Sequence, residues 1–405
     1  MNIKTSNSTL LYVALLLTFG GYYSILILQA NYNLPLSLTI LVRIAILFIL
    51  TIFFLTQNKI PESLTFKLII FFLMMYFFRI LYMQGFGSGE YAEYLFYFLA
   101  FSALPFILIS CSRLGLGDID SIVLYIQISF LIFFSLIVFY YGDYIFSGMR
   151  LSAYVSKDEN YISPLSLSYC ASMAMGLSII YFMFSPTKSY KLNVLMLLVF
   201  ILSIPAFILG ASRGAIISLI IAFILIVMFQ SSTKIRLYIS IFLVSFFLLM
   251  VFISSNYNIS AVDRFLSLGD DISSGSSSAI RLNIWALAFG QFIDNPLFGN
   301  DIIVTEYGGY AHNVFIGSLI STGILGGSLF LISYILMLFQ LRRLSKISFK
   351  ANYLIIIFIQ SSIQVMFSGA IYTAAWFFAS AALVIALSST HKRSFVSESL
   401  PVCSA

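Results

Sequence analysis

Apolar runs of about twenty residues succeed one another through almost the whole of this sequence, separated by short polar turns and by one long polar stretch, Ser255 to Ala311. A run of that length is what a helix needs to cross the hydrocarbon layer of a bilayer, roughly 20 residues at about 1.5 Å each. Only 9% of the residues are charged, against about 25% in water-soluble domains, so a soluble globule is excluded. The runs predict an all-α, polytopic integral membrane protein with about twelve transmembrane helices: Leu10 to Leu28, Leu36 to Leu55, Phe66 to Met83, Ala92 to Ser110, Ser121 to Tyr141, Pro164 to Phe184, Leu192 to Gly210, Ala215 to Phe229, Leu237 to Ser254, His312 to Leu338, Ala351 to Ser368 and Tyr372 to Ser389. Residues 1–405 then form a single transmembrane domain, with 255–311 inserted as a loop between the ninth and tenth helices. Met1 to Ala30 has a lysine, an apolar run and a small residue, but its apolar run is long and more follow, so it reads as an uncleaved first helix.

Basic residues in short loops stay on the cytoplasmic side. With both termini inside, 14 of the 21 Lys and Arg fall on inner loops and flanks, among them Lys59, Arg113, Lys191, Arg236, Arg342, Arg343, Lys346 and Lys350. The acidic residues show the opposite bias. Glu90, Glu93, Asp143, Asp158, Glu159, Asp263, Asp270, Asp271, Asp294, Asp301 and Glu306 all fall outside. The loop 255–311 is therefore expected on the outer face of the membrane, and the net charge of +6 is a sign of topology. No basic stripe on a soluble domain points to nucleic acid, so none is expected as a partner.

Function in such a chain is expected where polar backbone interrupts the apolar text. The long loop carries Arg264, a Gly/Ser stretch from Ser273 to Ala279, and then a helical pattern in which Leu282, Trp285, Phe289 and Phe292 recur at spacings of three, four and three. That pattern predicts an amphipathic helix on the outer membrane surface, with Trp285 at headgroup level and Arg281, Asn283 and Gln291 off its apolar face. The helix ends at Asn295-Pro296 and Gly299, and the loop runs through Asp301 and Glu306 into His312 and Asn313. His312 is one of two histidines in the chain, and imidazole can accept or donate a proton near neutral pH. Its other reading is a helix-starting residue satisfied by nearby backbone. Arg213 lies in a tight outer turn, where it either snorkels to the interface or meets an anion. Arg43 in mid-span and Arg79 near an outer end are intramembrane charges that need a partner. Gly317, Gly323, Gly326 and Gly327 read as close-packing positions. The three cysteines, Cys111, Cys170 and Cys403, are scattered, and neither they nor any carboxylate pair gives a metal-ligand spacing, so no metal and no cofactor is expected.

Three words then occur in order: Ala211-Ser212-Arg213-Gly214-Ala215; Arg281-Leu282-Asn283-Ile284-Trp285 leading to Asn295-Pro296-Leu297-Phe298-Gly299; and His312-Asn313-Val314-Phe315 followed by Gly323 and Gly326. In that order they resemble the O-antigen polymerase and O-antigen ligase superfamily. The resemblance covers the C-terminal half by motif and the whole chain by span number and loop placement. It implies a GT-C-like architecture and a metal-independent membrane glycosyltransferase acting, at the periplasmic face of a bacterial inner membrane, on saccharides carried by undecaprenyl diphosphate. It further implies membrane lipid around the chain and a chain-length regulator and a flippase as partners. On the residues matched, Arg213 and Arg281 would neutralise the departing diphosphate and His312 would act as base. Arg264, Asn313, Glu306, Asp301, Arg79 and Arg43 are the further substrate contacts, with Asp301 and Glu306 as alternative bases. The wording of the second and third motifs favours a polymerase of repeat units, with ligation to lipid A core as the alternative. From another class, a lipid-linked oligosaccharide transporter would suit twelve spans, but it would call for paired repeats and mid-membrane ionisable groups, and only Arg43 fits that description.

Overall fold

In the computed structural model, residues 3–32, 34–35, 37–57, 59–86, 91–145, 163–184, 189–230, 232–256 and 277–398 are described. They are almost wholly helical: α1 (Ile3–Leu16), α2 (Tyr22–Tyr32), α3 (Ser37–Gln57), α4 (Leu64–Phe86), α5 (Tyr91–Tyr97), α6 (Leu104–Ser110), α7 (Asp118–Ile145), α8 (Pro164–Phe184), α9 (Tyr190–Gly210), α10 (Arg213–Phe229), α11 (Thr233–Asn256), α12 (Ser277–Asp294), α13 (Val314–Ile347), α14 (Ala351–Ser368) and α15 (Ala375–Glu398). Each predicted span coincides with helix over most of its length. Among the described residues nine helical stretches are long and apolar enough to cross a membrane, and Arg213–Phe229 and Ala375–Thr390 are shorter apolar helices. The chain is a multi-pass, all-helical membrane protein. Arg150, Arg264 and the first part of the Gly/Ser stretch lie outside the described residues.

Lipid tails are as apolar as leucine, so helices in a membrane associate through close packing and shared polar contacts rather than through expulsion of water. The centre of this bundle follows that rule. Gln360 of α14 donates to the Ser172 carbonyl of α8 at 2.9 Å and accepts from the Ser172 hydroxyl at 2.5 Å and the Ser218 hydroxyl of α10 at 3.1 Å. One side chain thus pins three helices, each such contact being worth about 1 kcal/mol. Gly210, at the end of α9, has no room for a side chain against Ser168 and the Pro164 carbonyl of α8. The α9–α10 turn is therefore seated directly on α8, with the Ser212 amide donating to the Ser168 hydroxyl at 3.1 Å.

Two π-helical turns break the regular ladder, Leu17–Gly21 between α1 and α2 and Phe98–Ala103 between α5 and α6. Such turns insert an extra residue and re-aim the side chains beside them. The first is held by the Gly20 amide donating to the Ser129 hydroxyl at 3.0 Å, and the second by the Ser102 hydroxyl donating to the Ile371 carbonyl at 2.6 Å.

The predicted single span His312 to Leu338 is corrected. Asn313 is the N-cap, α13 begins at Val314, and the helix breaks at Gly323, whose φ is 64° and ψ is −165°. The break brings Leu319 against Gly327 and Thr322 against Gly326, so these glycines let the two arms of one helix fold close together. Backbone groups freed at such a break must find partners inside the membrane. They find them in the Asn295–Asn300 turn: Asn300 N–H donates to the Ile320 carbonyl and Ile324 N–H to the Pro296 carbonyl, each at 2.7 Å. Gly299, at φ 70°, lies too close to Ile320 and Ser321 backbone for a Cβ.

Candidate active site

Asn313 closes the polar loop onto α13. Its side-chain oxygen accepts from the amides of Phe315 at 2.9 Å and Ile316 at 3.2 Å, so its contribution is to fix the first turn of the helix. His312 just before it is held at φ 53°. Left-handed backbone costs a non-glycine residue roughly 1–2 kcal/mol, and among the described non-glycine residues only His312 and Ala211, at φ 44°, adopt it. One stands at the start of α13 and the other in the turn that presents Arg213. Non-glycine residues held in this way concentrate at functional sites, where the surrounding structure over-determines them.

The His312 ring lies 4.2 Å from the Tyr310 ring, centroid to centroid, and 6.4 Å from that of Tyr307. Its Nδ1 is buried and has no hydrogen-bond partner among the described residues. Burial, then the nearby Arg281 cation, push the imidazole below its ordinary value, which keeps it neutral and able to take a proton. Burial pushes the Tyr310 hydroxyl up, so it remains a donor.

Arg281 reaches this corner because α12 turns a different face inward from the predicted one. Ile284 and Ala288 are buried, with Leu287 and Phe292 packed beside them, whereas Leu282 and Phe289 are 45% and 51% exposed. The helix is apolar on two sides, one for the protein and one for the outside, and a single hydrophobic stripe drawn through both is misaligned. Arg281 and Gln291 accordingly belong to the inner side. Trp285 is not turned to headgroups: its Nε1 donates to the Ala311 carbonyl at 3.0 Å, tying α12 to the segment that carries His312. Gln291 fixes the far end, donating to the Ile303 carbonyl at 3.0 Å and accepting from the Thr305 amide at 2.9 Å.

Arg213 opens α10 with its guanidinium nitrogens buried. Its neighbour Gly214 faces the Tyr169 hydroxyl so closely that no side chain fits there. Tyr169 is 1% exposed, its hydroxyl has no hydrogen-bond partner among the described residues, and it lines one cavity with Tyr310, the ring partner of His312. Tyr169 therefore joins the Arg213 turn to the Arg281–His312 corner. Sequence reasoning missed it: a tyrosine in mid-span carries no local signal, whereas Tyr310, two residues before His312, could have been read as its ring partner.

The remaining candidates separate. Asp301 is 6% exposed, accepting from the Tyr91 hydroxyl at 2.9 Å and from the Ile302 amide at 2.6 Å. Arg79 donates to three backbone carbonyls, Ser321 at 2.8 Å, Phe298 at 2.6 Å and Gly299 at 3.1 Å. Arg79 braces the broken helix against the Asn295–Asn300 turn, and Asp301 ties the loop after that turn to α5. Glu306 is exposed on a turn closed by Val304 N–H donating to the Gly309 carbonyl at 2.7 Å. Arg43 lines a cavity of about 550 Å³ that Tyr169 and Tyr310 also line.

Residues 197–331 match the family model described as O-antigen ligase. The match takes in the Arg213 turn, α12 and the His312 corner, and it bears out the resemblance to the O-antigen polymerase and ligase superfamily. No curated protein and no solved structure matches the chain.

Proposed function

Proceeding from that superfamily match, we propose that the chain is a membrane glycosyltransferase that polymerises a surface polysaccharide, moving a glycan from undecaprenyl diphosphate onto a lipid-linked repeat unit at the periplasmic face. The observation that carries this reading is the corner itself: a neutral imidazole with a free Nδ1, beside Arg281 and the tyrosines that lead to Arg213.

An acceptor hydroxyl attacks the anomeric carbon of the donor, its proton passes to His312, and the bond from that carbon to the diphosphate breaks with its electron pair going to the diphosphate. Charge grows on the leaving oxygens. Planar guanidinium groups suit phosphate oxygens, and at ~4 Å with an effective dielectric near 20 each such contact supplies about 4 kcal/mol before desolvation. Arg213 and Arg281 take that role. Only the part of it that strengthens as the bond breaks speeds the reaction. With the Asp301 carboxylate engaged by Tyr91 and its own loop, His312 is the better base.

The description of the matched family favours a second reading, ligation of the glycan to lipid A core. Purified protein given lipid-linked repeat units alone separates the two. A ladder of longer glycans, lost in His312→Ala and in Arg213→Ala at unchanged membrane insertion, supports polymerisation. Product that forms only once lipid A core is added supports ligation, and undiminished elongation in both variants refutes the site.

A further inference from the structure

Arg43 sits on the second turn of α3, 5% exposed, with its guanidinium carbon 3.8 Å from the Tyr22 ring on one side and 3.8 Å from the Phe101 ring on the other. Both rings are supplied by the irregular turns of the bundle. Tyr22 directly follows the π-helical turn Leu17–Gly21, and Phe101 lies within the turn Phe98–Ala103. Flanking rings attract a cation but leave its edge, where all the N–H donors point, open. Among the described residues the Nε has no hydrogen-bond partner and no carboxylate pairs with the side chain; the Tyr22 hydroxyl hydrogen-bonds the guanidinium and Tyr23 lies nearby, so the cation is met by neutral groups alone. A buried cation held this way in a membrane protein marks an anion site more readily than a packing device.

The space beside Arg43 fits that reading. It lines the same cavity of about 550 Å³ that reaches Tyr169 and Tyr310, within the size range of small-molecule sites. Tyr22, Tyr23 and Tyr97 also line the walls, and tyrosine offers an apolar ring face together with a hydroxyl, which suits a sugar. Ile40 and Phe96 belong to the rim and are themselves exposed, so the cavity opens sideways onto the outer apolar surface of α3.

We propose that Arg43 holds the diphosphate of a second prenyl-linked saccharide, the acceptor, whose sugars lie along the tyrosine-lined cavity and present a hydroxyl to His312, while the donor's diphosphate rests at Arg213 and Arg281. The acceptor keeps its own sugar–diphosphate bond; only the donor's is broken, and the proton released goes to His312. This rests on the polymerase reading, since a ligase would have one prenyl diphosphate to hold and a polymerase has two.

The test counts bound radiolabelled undecaprenyl diphosphate on the full chain in nanodiscs. The wild type is expected to bind two equivalents, Arg43→Gln to lose one by on the order of 30-fold or more in affinity, and the double variant Arg213→Ala/Arg281→Ala to lose the other. Ser166→Trp fills the cavity from α8 without touching the charge and should also lose the Arg43-dependent equivalent, which covers the case of a misfolded Arg43→Gln. A single equivalent in the wild type, or two in both Arg43→Gln and Ser166→Trp, overturns the acceptor site while leaving polymerisation standing if ladders still form. Displacement of the Arg43-dependent equivalent by phosphatidylglycerol at equal concentration overturns it in favour of a phospholipid headgroup. If the wild type neither binds the label nor elongates, the polymerase reading itself fails.

Discussion

His312 is the residue on which the chemistry turns, and its protonation can be followed directly because the chain holds two histidines. Burial and the Arg281 cation both disfavour the imidazolium, so the folded value lies below the ordinary ~6.5 of histidine. A base works only while unprotonated. At pH 6.5 more than half of His312 therefore remains competent, and activity should fall only as pH drops further. Removing the cation reverses one of the two causes. In Arg281→Gln the His312 value should move upward, toward but not past the ordinary value, since burial remains. Histidine-labelled protein, with His391→Gln to assign the second signal, gives the titration by NMR independently of turnover. A His312 midpoint at or above 6.5 in the wild type, or one unmoved in Arg281→Gln, would contradict the geometry. The sequence made His312, Arg281 and Arg213 legible as residue types in order. It could not show that Asp301 is consumed by Tyr91, or that Asn313 serves the helix rather than a ligand, because both depend on where hydroxyls and amides arrive after folding.

At the scale of elements, the break in α13 organises the site, since its short first arm places His312 while the second arm crosses the bundle. Gly323 and Gly299 interlock there in left-handed conformations, and Arg79 of α4 holds the carbonyls on both sides. A Cβ at Gly323 would collide with Leu297 and Phe298 backbone, which no rotamer change can relieve. Gly323→Ala should therefore destabilise strongly, by more than the ~1 kcal/mol that alanine normally contributes over glycine in a helix, and should lower the thermal transition in detergent. Gly317→Ala is the contrast. Its nearest neighbour is the Ile371 Cδ1 at 3.8 Å, an ordinary contact, so the same change should be neutral or stabilising. Equal losses in the two variants would show that the break at Gly323 is not what holds this element. The predicted continuous span failed here because glycine-rich apolar text serves equally for a straight close-packed helix and for a folded one. The inner face of α12 was misread for a related reason: hydrophobic spacing does not tell a lipid-facing stripe from a protein-facing one.

For the whole molecule, the question is which end of the bundle faces outward. One end gathers the cations: Lys59 N–H donates to the Cys111 carbonyl beside Arg113 at 2.8 Å, Lys350 pairs with Asp120 at 2.5 Å, and Gln230 donates to the Ser345 carbonyl next to Lys346 at 3.2 Å. Loops distant in sequence are thus bound into one basic rim. The other end gathers His312, Asp301, Glu306 and the Arg213 turn. Retention of positive charge on the cytoplasmic side then predicts that the His312 end is periplasmic, as lipid-linked saccharides already moved across the membrane would require. Cys111 and Cys170 are buried, so with Cys403→Ser the background for thiol labelling should be low. Glu306→Cys, on the exposed turn, should react with a membrane-impermeant maleimide in spheroplasts, whereas Lys346→Cys should react only after the membrane is permeabilised. The reverse pattern would place the basic rim outside and leave the proposed acceptor and donor on the wrong side of the membrane for the reaction, whatever the corner at His312 can do chemically. Labelling of both positions from outside would mean that an even number of crossings separates them, so that Val314–Ile347, the one span between them, does not cross the bilayer.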